Sequence, residues 1–150
     1  MSATQRCCLV LWGEQCDEVV AALFITNLRA AGVRVWVVGI SGKRIAGAHG
    51  LSLVADIALD QAMPLAPQTV AVIIPCLNDQ WLHFLNDPRL VTFLNDCLRN
   101  QARILMAVGS LPPLSSLQRV DAAFLANAAE FYPPTETLLP ALQTLAATLR

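Results

Sequence analysis

The chain has 150 residues, of which 55% are hydrophobic and 14% charged, and its formal net charge is −1. That length suits one domain, which would bury ~70% of its unfolded surface, and charges scattered singly along the chain exclude both a nucleic-acid footprint and an acidic tail. No window approaches the ~18 consecutive apolar residues of a spanning helix, and residues 1–6 lack the basic-then-apolar layout of a secretory leader, so no membrane partner and a cytoplasmic location are expected.

Cys7–Trp12 is an apolar run closed by Gly13 and reads as a buried strand. Val20, Leu23, Phe24, Leu28 and Ala31 then recur at helical spacing, with Asp17 as cap and Gly32 at the left-handed position past the end, which predicts a helix over 17–31. Residues 33–40 form a β-branched and aromatic strand, so the opening is a βαβ unit. Three glycines and two basic residues make 41–50 a loop, able to form a small hairpin with 51–54.

The proline-bearing stretch 62–68 links to Thr69–Ile74, an interior parallel strand ending at Pro75. Asp87 and Pro88 supply a cap and a first-turn proline for a helix whose buried stripe is Leu90, Val91, Leu94, Cys97 and Leu98. A further strand covers 103–108, followed by Gly109, Ser110 and the Pro112–Pro113 pair. Residues 121–130 read as helical. A last amphipathic helix carries Leu138, Leu142, Leu145, Ala146 and Leu149, and its start is set near Thr137 so that Pro140 falls in the first turn. Strands alternating with helices define an α/β fold: a three-layer sandwich around an open, mostly parallel, flavodoxin-like sheet.

Five cysteines, Cys7, Cys8, Cys16, Cys76 and Cys97, lack metal-ligand spacing and read as free thiols in a reducing compartment. His49 and His83 have no Cys, His, Asp or Glu at helical metal spacing, so neither a metal nor a cofactor is expected. Ligands in such sheets bind beyond the carboxyl ends of the strands, which here means 13–16, 41–49, 75–79 and 108–113. These segments hold no Gly-x-Gly-x-x-Gly and no P-loop. Trp12, Trp36 and Trp81 have spacings that fit core packing as well as a stacking platform.

Three blocks, read in order over residues 6 to 110, resemble the ThiJ/PfpI superfamily of class I glutamine-amidotransferase-like proteins. Gly47-Ala48-His49-Gly50-Leu51-Ser52-Leu53-Val54-Ala55-Asp56 is similar to the Gly-x-His-Gly-x-x-Val-x-x-Asp stretch of PfpI-type members. Ala71-Val72-Ile73-Ile74-Pro75 is similar to the strand that in the family ends in Pro-Gly-Gly, with Cys76 and Leu77 in place of both glycines. Leu85-Asn86-Asp87 opens the helix leading to Ile104-Leu105-Met106-Ala107-Val108-Gly109, which resembles the strand and turn of the family's Cys-His-Gly elbow.

What the resemblance implies is a site without its chemistry. An ungapped count from Pro75 puts Ala107 at the nucleophile, Val108 at the adjacent histidine, and keeps Gly109. The family's buried Glu, counted back from Gly32, falls on Val20, while Asp17 and Glu18 one turn earlier are explained as N-terminal helix residues favoured by the dipole. The 40 residues after 110 imply an abbreviated C-terminal part.

The reactive-looking group left at a strand end is Cys76, with His83 as a candidate base within one or two helical turns, and a depressed thiol pKa is expected if it acts. The candidate pocket is Gly13, Glu14, Asp17, Glu18, His49, Pro75, Cys76, Ala107 and Gly109. Three classes stand open: a non-catalytic binding or interaction protein, a hydrolase or aldehyde-handling enzyme using Cys76, and a small-molecule sensor or regulatory partner. The hydrophobic excess over the usual ~45–50% also predicts a homodimer, with Ala21, Ala22 and Ile25 of the first helix and Ala141 and Ala147 of the last one available for contact.

Overall fold

The computed structural model of the chain describes residues 5–77, 79–107 and 129–149. Strand β1 (Cys7–Trp12) is buried along its whole length on both faces, as a central parallel strand must be. Helix α1 (Glu18–Ala30) follows. The Asp17 carboxylate caps it by accepting from the Val20 N–H at 2.9 Å, a device worth about 1 kcal/mol. At its other end Gly32 takes φ +86, and the N–H groups of Gly32 and Val33 reach back to Arg29 and Leu28, the paired bonds of a Schellman stop.

Next come β2 (Val35–Gly39), the antiparallel pair β3 (Arg44–Ala46) and β4 (Ser52–Val54), the two-residue β5 (Ile57–Ala58), and the short helix α2 (Leu59–Ala62). The hairpin expected over 41–54 is therefore present. A 3-10 turn over Met63–Gln68 leads into β6 (Thr69–Ile74), and a second over Asp79–Asn86 into α3 (Pro88–Arg99), capped by Asp87 with Pro88 in its first turn. The chain closes with β7 (Arg103–Ala107), β8 (Ala129–Tyr132) and α4 (Thr135–Leu149).

Among the described residues six strands pair in the order β5-β2-β1-β6-β7-β8, every pairing parallel. The crossover from β1 to β2 runs toward one edge and that from β6 to β7 toward the other. With right-handed connections, α1 and α3 must lie on opposite faces. Accordingly α1 packs with α4, while α3 packs with α2 and β6. No helix among the described residues is long and apolar enough to cross a membrane.

Some expectations need correction. Ala129 and Glu130 lie in a strand, because Ala129–Tyr132 pairs with β7 and tertiary pairing overrides the local helical pattern; the rest of the helix expected over 121–130 lies outside the described residues. Helix α4 starts at Thr135, two residues before the expected start, so Pro140 sits beyond the first turn. Pro140 and Glu136 are both exposed, which lets water serve the carbonyl that proline leaves unpaired. Phe93, outside the expected stripe of α3, is fully buried, and Val91 is only half-buried.

Candidate functional site

β1 sits where the strand order reverses, and the crevice outside the carboxyl ends of β1 and β6 is the place such sheets offer a ligand. The Asp17 N–H donates to the Pro75 carbonyl at 2.6 Å, tying the loop after β1 to the end of β6. Gly13 is buried, and a Cβ there would meet the Phe84 ring at 2.9 Å. Pro75 and Cys76 are buried as well, while Glu14 is exposed. The middle of the expected pocket is thus packed, and its chemistry falls on two flanks.

On one flank Glu18 is only 4% exposed. Its Oε1 and Oε2 accept from the His49 N–H at 3.0 and 2.9 Å, and Oε2 also accepts from the Leu51 N–H at 2.8 Å. The His49 Nδ1 lies 3.1 Å from Glu18 Oε1 and 3.5 Å from Asp17 Oδ2. Burial opposes the charge on Glu18, but the N–H groups of Leu51 and His49 outweigh it and hold the carboxyl below its usual range. An ionised carboxylate has no proton to give, so Nδ1 must be the donor in its bond to Glu18. The His49 side chain is 67% exposed. The arrangement therefore holds one edge of the imidazole toward solvent in a fixed orientation.

Gly47 makes that loop fit. Its backbone runs so close that a Cβ would meet the Cys16 carbonyl, Glu18 Cδ and the Trp12 ring, each at 2.7 Å. The Ala48 N–H donates to the Cys16 carbonyl and the Trp12 indole N–H to the Ile45 carbonyl, both at 2.9 Å. Glu18 is thus the anchor of the 47–51 loop, a role beyond the dipole pairing read from its place in the helix. The 31-residue separation from His49 gave sequence reasoning no spacing by which to find it.

At the centre, Cys16 and Cys76 are both 0% exposed with their Sγ atoms 3.0 Å apart. The Cys76 thiol is pushed up, by its bond to Cys16, by burial and by the nearby charges of Cys16 and Asp17. This runs against the depressed pKa expected of a nucleophile. His83, the candidate base, stacks on Phe84 with ring centroids 4.1 Å apart. All five thiols are free and buried.

On the other flank Ala107 ends β7 beside its register partner Tyr132. A cavity of about 260 Å3 opens there, lined by Leu77, Ala107, Tyr132, Pro133, Thr135 and Glu136 among others. Among the described residues the buried Tyr132 hydroxyl has no hydrogen-bond partner. Val108 and Gly109 lie outside the described residues. Val20, where the acid was counted, is a core side chain. Trp12 and Trp81 are buried, and Trp36 is half-buried beneath the Arg34 guanidinium, so all three serve packing.

Comparison with solved structures bears out the resemblance at the level of fold, because DJ-1 and protease I structures share this parallel-sheet architecture. Toxoplasma gondii DJ-1, oxidized, matches with a TM-score of 0.72 at 16% identity over 95% of this chain and 89% of that one. The putative protease I from Bacteroides thetaiotaomicron matches at 0.71 and 12% identity over 97% and 99%. Drosophila melanogaster DJ-1beta matches at 0.69 and 15% identity over 97% and 90%. Neither a protein-family sequence model nor a curated protein sequence matches the chain.

Proposed function

We propose that this chain is a shortened member of the DJ-1/ThiJ/PfpI superfamily that has given up the family's thiol chemistry and works as a cytoplasmic, homodimeric binding or interaction protein. The observation that carries the reading is the burial of every cysteine: Cys7, Cys8, Cys16, Cys76 and Cys97 are at most 2% exposed. Repeated turnover needs a thiol that its substrate reaches and that ionises readily, so burial leaves these thiols at most slow, single-event reactions. Ala107, at the counted nucleophile position, has only a methyl group. An enzyme using Cys76 would have to overcome both burial and the loss of easy ionisation, so that alternative is disfavoured.

The cavity beside Ala107 favours the small-molecule form of this reading. Its walls are mostly apolar, with Thr135 and Glu136 as polar exceptions, the mix expected of a binding site for a compact, largely apolar compound. The oligomer also rests on exposed apolar surface. Val19 and Leu51, next to Glu18 and its loop, are 55% and 60% exposed, and Ala22 is exposed on the same helix. Ala21 belongs to the core, and α1 already packs on α4, so the contact is assigned to the Val19 and Ala22 side of α1.

Native mass spectrometry of the protein purified from its source cells tests both parts. The expected species has twice the 16.2 kDa chain mass and retains a small molecule in addition. A bare 16.2 kDa monomer would contradict the proposal.

A further inference from the structure

We propose that Cys16 and Cys76 are a redox pair that closes to a disulfide across the crevice, clamping the loop after β1 to the end of β6. The Sγ atoms stand 3.0 Å apart, about 1 Å from the ~2.05 Å of a disulfide. The backbones are already joined one residue away, where the Asp17 N–H meets the Pro75 carbonyl. The Cys16 S–H is directed at the Leu11 carbonyl, 3.6 Å away, which leaves the Cys16 sulfur lone pairs facing Cys76.

Tyr132 is 7% exposed, and its hydroxyl has no hydrogen-bond partner among the described residues. Burial and the neighbouring Cys76, Cys16 and Asp17 raise its pKa, so it keeps its proton beside the pair.

The oxidant is a hydroperoxide. One thiol gives up its proton, and its sulfur attacks a peroxide oxygen. The O–O bond breaks, and a sulfenic acid and water form. The second sulfur then attacks the sulfenic sulfur, forming the S–S bond and breaking S–O, and the departing hydroxide takes the second thiol proton to leave as water. Two thiols and one hydrogen peroxide thus give one disulfide and two waters. Burial makes the first step slow, whereas the fixed juxtaposition makes the second fast. The product should accumulate without a long-lived sulfenic acid.

The experiment is peroxide treatment of the folded, reduced chain, quenching by denaturing alkylation, intact mass measurement and non-reducing peptide mapping. The expected result is a chain that takes up three alkyl groups, on Cys7, Cys8 and Cys97, where the untreated reduced chain takes up five, with Cys16 linked to Cys76 at the cost of two hydrogens. Closing so long a loop should raise the melting temperature of the oxidised protein by about 5–10 °C. Cys16→Ser and Cys76→Ala should each abolish the link, and the wild-type map decides the matter should either variant fail to fold. A Cys7–Cys97 link, over-oxidation of a single cysteine, or an unchanged mass overturns the proposal.

Discussion

Glu18→Ala is expected to lower stability by about 3 kcal/mol, a fall in melting temperature of ~6–12 °C for a chain of this size. The carboxylate is buried and accepts the His49 and Leu51 N–H groups. Removing it takes the acceptor from two part-buried backbone donors, and a donor left stranded costs about 1–3 kcal/mol. Glu18→Gln keeps the volume but turns one acceptor into a donor facing donors, and should cost less than the alanine and more than nothing. The sign of the pH effect follows from the lowered pKa of Glu18 in the folded chain. Its contribution is complete above the unfolded value of ~4.3 and is lost as pH falls through the folded value. Wild type should therefore lose more stability than Glu18→Ala on acidification below about pH 4.3. Thermal melts over a pH series measure both effects, and parallel curves for the two proteins would exclude the ionised anchor.

Gly47→Val is expected to destabilise by about 3 kcal/mol, with Gly47→Ala at about 2. An added Cβ meets the Cys16 backbone, a carboxylate pinned by its bonds and the buried Trp12 ring, and none of the three is a loose side-chain end that can swing aside. Gly47 is not among the glycines with positive φ, so the cost is steric. Without the clash, replacing glycine by alanine would stabilise by ~0.4–1 kcal/mol through the unfolded chain. The sign of Gly47→Ala therefore separates the close approach from ordinary loop behaviour. Gly32 gives the contrast: its φ is +86 with nothing within 4 Å of a Cβ, so Gly32→Ala tests backbone strain alone, and ~1 kcal/mol is expected. Denaturant unfolding of the three variants measures the order.

The sheet was readable because its central strands are pure burial signals. Cys7–Trp12 and Thr69–Ile74 are continuous apolar runs that only a two-faced parallel sheet accommodates. Caps were equally legible at Asp17, Asp87 and Gly32, since each acts within its own turn. Strand β8 was not, because Ala129–Tyr132 is held by pairing with β7 and carries little strand signal of its own. The site was legible as a set of residues and illegible as a geometry. His49, Glu18, Cys16 and Cys76 all stood out, yet their partnerships span 31 residues for Glu18 with His49 and 60 for Cys16 with Cys76. Cys76 also looked reactive because it stands at the carboxyl end of a strand, where such sheets place chemistry, whereas the fold turns its thiol onto another thiol.

On the proposed function, thiol chemistry of the DJ-1/ThiJ/PfpI kind should be absent from this chain. The most direct measurement is turnover of methylglyoxal and of peptide esters by the reduced wild-type protein, run beside Cys76→Ser and Ala107→Val. The account predicts rates equal to buffer for all three. Turnover that vanishes in Cys76→Ser would contradict it by showing relocated chemistry, and turnover that survives there but vanishes in Ala107→Val would show that the position at the end of β7 still acts.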